Sequence, residues 1–485
     1  MTGTATRPES TLDRYFSISA RGSTVRREIR GGVVTFFAMA YIVVLNPLII
    51  GTAPDADHHF LGIPPVAAVT ALVAAVMTIA MGVIGRYPYG LATGLGLNAF
   101  LAASVASQMS WPDAMGLVLW EGLVIIALVL TGFRSAVLRA IPQQLRTAIG
   151  VGIGLFITFI GFVDSGIVRR IPDAAGTTVP VQLGTGSLRG WPVLVFVVGL
   201  LIMASLMALR VKGAILIGIV INTILAIIVE AIAKAGPAVD AKGKVHPDGW
   251  QLNVPKLPHK VAQSPDLSLF GHFSLLGGFQ RIGVVAAVLI VFSLVLSDFF
   301  DSIGTLMGVA AEGDLLDENG ELPGMGRVLF VDATAAAAGG IASASSATAY
   351  VESAAGVGDG ARTGLASVVT GALFVVALFL TPLVSVVPSE AATPALVLVG
   401  CLMIGQIKRL DLNDFSVAVP AFLTMVLMPF TYSITDGIGA GVVSYVILRT
   451  VKGKAREIHP LLWIVAVAFV IYFAIDPIKA ALGIN

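Results

Sequence analysis

Long apolar runs recur along almost the whole chain, separated by short polar returns. They fall near 31–51, 66–85, 90–107, 114–133, 143–163, 191–209 and 213–234. A long polar stretch, 235–282, interrupts the series. It resumes near 283–311, 327–342, 346–358, 363–387, 392–407, 413–431 and 434–450. A helix needs about 20 apolar residues to cross a bilayer, and most of these runs approach that length. The pattern predicts an all-α polytopic membrane protein of about 14 transmembrane segments, seven on each side of a connector. A further apolar stretch, 460–482, follows a basic cluster and is expected to be membrane-associated.

Composition agrees with the pattern. Of 485 residues, 56% are hydrophobic and 12% charged, with a mean hydropathy of +0.91. Soluble domains carry about 25% charged residues, so a soluble enzyme, a disordered chain and a nucleic-acid binder are all excluded. The net charge of +1 and the single cysteine, Cys401, add nothing about partners or redox compartment. Cations settle the orientation, because loops rich in Lys and Arg stay on the cytoplasmic side. With residues 1–30 as a cytoplasmic tail, every second return should be basic. Arg86, then Arg134, Arg139 and Arg146, then Arg210 and Lys212 meet that expectation in the first half. Arg362, then Lys408 and Arg409, then Arg449, Lys452, Lys454 and Arg456 meet it in the second. An odd unit of seven spans used twice places its copies in opposite orientations, so two inverted repeats are implied.

An internal likeness supports the repeat. Gly90–Phe100 reads GLATGLGLNAF and Gly340–Tyr350 reads GIASASSATAY, each the third segment of its half. Both are short and rich in small residues. Interrupted segments at corresponding places in two halves point to a transporter's binding site.

Carboxylates at membrane depth are the candidate chemistry, since each costs about 2.5–3.5 kcal/mol to insert as an ion. Asp298 and Asp301 lie three residues apart near the middle of 283–311, on one side of a helix. Glu352 falls in the short segment SATAYVESAAG, and Asn98 in its first-half counterpart, beside Gly94 and Gly96. Glu121 has no counterpart in the other half and reads as an interhelical hydrogen-bonding group. Asp436 in SITDGIG reads as a helix start after a turn, with a contribution to gating as the alternative. The histidines at 58, 59, 246, 259, 272 and 459 lie in loops or at helix ends, so no buried metal site and no cofactor is expected. The glycines of Gly150–Gly154 lack the strand context of a nucleotide motif.

Taken in order, GLATGLGLNAF, SDFFDSIGTLMG and SASSATAYVESAAGV resemble the nucleobase–cation symporter-2 superfamily, and within it the AzgA-like hypoxanthine, guanine and adenine permeases. The opening GGVVTFFAMAYIVVLNPLI resembles the same branch, and the likeness covers residues 20–460. It implies core domains at 31–133 and 283–387, gate domains at 141–234 and 391–450, an external connector at 235–282, and a C-terminal segment at 451–485. Segments 3 and 10 would each be a short extended strand and a half-helix. By position, Asp298 and Glu352 would be the acidic ligands of the purine and Asn98 a polar contact, with Thr348 beside them. Apart from the resemblance, a flat base calls for a stacking aromatic from 98–100 or at Tyr350, and Phe100 is the one expected. Asp301, Asp298 and Asp436 would serve transport and proton coupling. The resemblance implies proton-coupled purine import through the plasma membrane by elevator-like motion, with Na⁺ as the alternative coupling ion and a homodimer as the expected assembly.

Buried carboxylates suit this chemistry, because a purine edge offers N–H donors and an unmet acceptor in a dry site is costly. The competing reading is an inverted-repeat anion transporter of the sulfate or bicarbonate kind. It would need a cation at the half-helices, and neither 90–107 nor 346–358 has a Lys or Arg. An intramembrane lipid enzyme would need a nucleophile–base set at depth, which is also missing.

Overall fold

The computed structural model describes residues 10–131, 142–170, 181–183, 190–238, 246, 248–251, 253–257, 260–318 and 322–474. A short helix α1 (Thr11–Phe16) precedes α2 (Val25–Met39), α3 (Ile42–Ile50), α4 (Ile63–Ala80), strand β1 (Leu91–Thr93), α5 (Leu95–Phe100) and α6 (Trp111–Leu130). Next come α7 (Gln143–Asp164), a small hairpin of β2 (Val168–Arg170) and β3 (Val181–Leu183), α8 (Trp191–Ala208) and α9 (Ala214–Ala233). The second half holds α10 (Gly277–Ile282), α11 (Val284–Glu312), α12 (Met325–Ile341), β4 (Ala347–Ala349), α13 (Ser353–Gly358) and α14 (Gly364–Ala377). It closes with α15 (Ser389–Ala392), α16 (Pro394–Ile404), α17 (Phe415–Thr431), α18 (Ile434–Val451) and α19 (Pro460–Phe473).

The elements follow the expected order, half by half. Among the described residues ten helices are long and apolar enough to cross a membrane, with α2 and α3 forming one and α15 and α16 another. Shorter apolar helices cover Leu95–Val105, Phe415–Thr431 and Pro460–Phe473. The chain is thus a multi-pass, inverted-repeat helical membrane protein. Its helices sort into two packed groups. One contains α2 to α6 with α11 to α14; the other contains α7 to α9 with α15 to α18.

Small residues set the closest helix contacts. A Cβ on Gly154 would lie 3.0 Å from the Gly400 carbonyl, and one on Gly152 would lie 2.5 Å from Met428 Sδ. The Gly150–Gly154 run therefore serves the packing of α7 on α16 and α17, the usual use of small residues in membrane helices.

Three terminal and connecting segments are more ordered than composition suggests. The segment before α2 is docked: Phe16 and Ile18 are buried against Leu365, and Arg21 lies over the Tyr87 ring at 4.3 Å. Part of the connector is packed as well, since Trp250 is fully buried and donates from Nε1 to Glu230 at 2.8 Å. Helix α19 packs on α18 and α11, while residues 475–482 of the expected C-terminal stretch lie outside the described residues, as do Arg134, Arg139 and His259.

Candidate functional site: a carboxylate-lined cavity at crossed half-helices

Two three-residue strands meet near the centre of the first helix group. β1 and β4 pair antiparallel, with Leu91 opposite Ala349, Ala92 opposite Thr348 and Thr93 opposite Ala347. Extended backbone at membrane depth is tolerated only where protein satisfies it, and here side chains meet both strands from outside the pair. Thr78 Oγ1 accepts from the Leu91 N–H and donates to the Leu91 carbonyl, both at 2.9 Å. Asp332 Oδ1 accepts from the Ala349 N–H at 2.9 Å, and Ser353 Oγ accepts from the Gly90 N–H at 2.9 Å. Asn46 of α3 ties the approach to β4 by donating to the Ala344 carbonyl at 2.9 Å.

The strands correct the repeat register read from sequence. Leu91 corresponds to Ala347 rather than to Ile341. Gly96 then takes the place of Glu352, and Asn98 falls two residues further along its half-helix. Small-residue segments align easily in several registers, and only the strand pairing selects one.

A cavity of about 460 Å³ lies against this crossing, between the two helix groups. Tyr41, Asp301, Thr348, Tyr350 and Glu352 line its wall, with Gly94 and Gly96 beside them. Ile149, Ile153 and Met403 form the facing apolar side, and Arg146, Gln406 and Arg409 stand at the end that carries the basic loops. Tyr41 lies where the first long helix breaks between α2 and α3, and its hydroxyl donates to Glu352 Oε1. The Tyr350 hydroxyl donates to the Thr93 carbonyl. The rings of Tyr41 and Tyr350 stand 6.4 Å apart at 48°. This arrangement offers carboxylate acceptors and flat aromatic walls to one small ligand.

The structure brings together only some of the residues singled out from sequence. Asp301, Thr348 and Glu352 line the cavity. Asp298 does not; it is 1% exposed, with Thr348 of β4 as its side-chain hydrogen-bonding neighbour. Two carboxylates three positions apart on α11 are thus divided between the cavity and the protein interior. Asn98 is fully buried and donates to Thr93 Oγ1 at 3.3 Å, outside the cavity wall. Phe100, expected to stack on the ligand, is fully buried in the hydrophobic core and forms no part of the cavity wall. Its place in the half-helix turns the ring toward packing neighbours, and the aromatic surface at the cavity belongs to Tyr41 and Tyr350. Asp436 occupies the first turn of α18, where its N–H donates to the N-capping Ser433 Oγ at 3.2 Å.

Sequence reading missed Tyr41 and Asp332. Asp332 was open to discovery, as a carboxylate within the apolar run 327–342. Tyr41 carried no signal beyond being polar-tipped in an aliphatic stretch. Among the described residues one cluster, Asp55, Asp57 and His59, has metal-ligand types close together. Asp55 Oδ1 is already used by the N–H groups of Asp57 and His59 at 2.9 and 2.8 Å. The hydrogen-bonded Arg281 guanidinium holds the Asp57 carboxyl below the usual range. That cluster orders a loop.

Comparison with known proteins identifies the family. The chain aligns over 469 residues with the guanine/hypoxanthine permease PbuG of Bacillus subtilis at 38% identity, covering 95% of this chain and 99% of that one. It is 36% identical to the adenine permease AdeP of Escherichia coli, covering 96% and 97% of the two chains. Among solved structures, the transmembrane domain of the cyanobacterial bicarbonate transporter BicA superposes with a TM-score of 0.59 at 15% identity, over 86% of this chain and 97% of that one. The anion transporter SLC26A9 gives 0.57 at 11% identity, over 93% and 72%. At such identities these two speak for the fold alone. Residues 26–439 match the model of the permease family named for xanthine and uracil carriers, and the chain belongs to that family, the nucleobase–cation symporter-2 superfamily of membrane permeases.

Proposed function

We propose that this protein is a secondary active transporter that imports purine nucleobases, among hypoxanthine, guanine and adenine, by proton symport. The observation that carries this reading is the pairing of Asp301 and Glu352 on one cavity beside the crossed half-helices, in a chain whose relatives are named as guanine/hypoxanthine and adenine permeases. A neutral purine presents N–H donors along its edge. Glu352 accepts from them, with Tyr41 holding the carboxylate in place, and the Tyr41 and Tyr350 rings flank the base. Leaving these acceptors unmet in a dry site is costly, which rejects bases with the wrong edge.

Transport proceeds by an elevator-like slide of the first helix group, as the core domain, past the second, as the gate. In this reading the state is inward-facing: the cavity lining includes Arg146 and Arg409, residues of the basic end, which the positive-inside rule assigns to the cytoplasmic side. The N-terminus is cytoplasmic, the membrane is the plasma membrane, and pairing of gate domains makes a homodimer. Asp298, Asp301 and Asp436 serve coupling, and Asn98 steadies the first half-helix through Thr93. The anion-carrier alternative gains no support from the site, because the lining beside the strands has carboxylates where an anion would need cations.

The test is uptake of labelled hypoxanthine by cells lacking their own purine permeases, with a proton uncoupler, Na⁺ replacement, and unlabelled adenine, guanine, xanthine and uracil as challengers. Uptake abolished by the uncoupler, indifferent to Na⁺ and blocked by purines supports the assignment. Absence of nucleobase uptake, with the protein present in the membrane, overturns it.

A further inference from the structure

A second set of carboxylates lies around β4, none of them among the residues that line the cavity. Glu121 stands midway along α6 and is fully buried. Its Oε1 accepts from Ser346 Oγ at 3.0 Å, at the entry to β4. Its Oε2 has no hydrogen-bond partner among the described residues, and neither has Asp298 Oδ1. Asp332, 3% exposed, holds the last residue of the same strand through the Ala349 N–H. Between them Thr348 joins Ser302 of α11 by a hydroxyl–hydroxyl bond. Three buried carboxylates therefore surround one short strand, and two carboxylate oxygens are left without a donor.

The charges facing Glu121 are of one sign. Asp332 from α12 and Asp298 from α11 are the ionisable groups that act on it. Cations on the elements packed against α6 are engaged elsewhere: Arg281 of α10 pairs with Asp57, and Arg327, in the first turn of α12, is exposed and acts on Tyr87. Helices α6 and α12 are in close backbone contact on either side of Glu121. A Cβ on Gly122 would lie 2.3 Å from the Ala337 nitrogen, and one on Gly340 would lie 2.6 Å from the Leu119 nitrogen. Like charges at such depth are not held together as ions, and the occupant that fits an unmet carboxylate oxygen without added volume is a proton.

We propose that Glu121 is a proton-carrying residue of the transport cycle, acting with Asp332 and Asp298 through their shared hold on β4. This deepens the proposed proton symport and rests on it. The strand is the coupling element. It is tied to the carboxylates, and its continuation, three residues after Ala349, presents Glu352 to the ligand. Gaining a proton at Glu121 changes how strongly that carboxyl holds Ser346, and so biases the position of the strand that orders the ligand site. Ligand and proton then act on one segment, which is the requirement for reciprocal coupling between sites.

The experiment uses the full chain in proteoliposomes, comparing wild type with Glu121→Gln and Glu121→Asp. Gln preserves an acceptor for Ser346 but takes no proton; Asp takes one from a shorter arm. The expected result is that Glu121→Gln still exchanges labelled for unlabelled hypoxanthine, while pH-driven accumulation falls about tenfold or more and its pH profile flattens. Glu121→Asp is expected to accumulate with a displaced pH profile. Wild-type accumulation and pH profile in Glu121→Gln overturn the inference and leave Glu121 a structural hydrogen-bonding group. If Glu121→Gln fails to assemble, Glu121→Asp decides: a displaced pH profile supports the inference, an unchanged one overturns it. A wild type that accumulates hypoxanthine without a pH gradient overturns the symport reading itself, and this inference with it.

Discussion

The Tyr41 hydroxyl donates to Glu352, joining the break in the first long helix to the entry of the second-repeat half-helix. Two residues far apart in sequence thus make one binding element, a carboxylate whose direction is set by a phenol. A hydrogen bond to a charged group contributes about 1.5–3 kcal/mol. Tyr41→Phe is expected to lower kcat/KM for hypoxanthine about 10- to 100-fold, mainly through KM, with the protein still present in the membrane. Initial uptake rates over a range of substrate concentrations check this, and an unchanged KM refutes it.

Helix α13 lies directly on α2. A Cβ on Gly356 would stand 2.1 Å from Thr35 Oγ1 and 2.4 Å from the Gly31 carbonyl. Backbone cannot yield as a flexible side chain does, and overpacking costs about 1–3 kcal/mol. Gly356→Val is expected to lower the Tm of the detergent-solubilised protein by several degrees and to remove transport with it. A wild-type Tm in that variant contradicts the contact.

The two helix groups are linked at the basic end. Asp359, just after α13, takes ion pairs from Arg30 of α2 and from Lys212 in the turn between α8 and α9. Only the Lys212 pair crosses between groups. Exposed pairs contribute about 0.2–1 kcal/mol, so Lys212→Ala is expected to shift the balance away from the state open at this end by up to about fivefold. In a Cys401→Ser background, labelling of Val351→Cys by a membrane-impermeant thiol reagent from the basic side reads that balance. Labelling at the wild-type rate refutes the linkage.

Asp414 caps α17 through Ser416 and pairs with Lys452 at 2.7 Å. The Lys452 and Ser416 hydrogen bonds hold its carboxyl well below the usual carboxylate range. A depressed folded-state value means stability that is complete above the unfolded value of about 3.9 and is lost as pH falls through the lower folded value. Asp414→Asn is expected to lower Tm slightly at pH 7, with the difference from wild type shrinking only below about pH 4. A difference that is independent of pH down to the acid limit refutes the assignment.

How much of this was legible in the chain follows from the range of each interaction. Span positions, their order and the short third segment of each half were all readable, because bilayer thickness imposes length and apolarity on every run. Glu352 and Asp301 stood out for the same reason, as charges where charge is costly. Hydropathy carries no information about azimuth. Helical spacing placed Asp298 and Asp301 on one helix side, yet the fold buries the first and puts only the second on the cavity wall. Phe100 was the ring expected to stack, yet packing takes it into the core and leaves Tyr41, at the break between α2 and α3, and Tyr350 at the cavity.

By itself, then, the sequence determined the membrane, the inverted halves and the chemical type of the site, since these follow from solvent transfer and from composition at fixed spacing. Tertiary structure alone decided the register of the repeat, through the Ala92–Thr348 strand pairing. It also decided which carboxylates meet a ligand and which meet one another. Those are contacts between segments hundreds of residues apart, made by close helix packing and strand hydrogen bonds that no local pattern encodes.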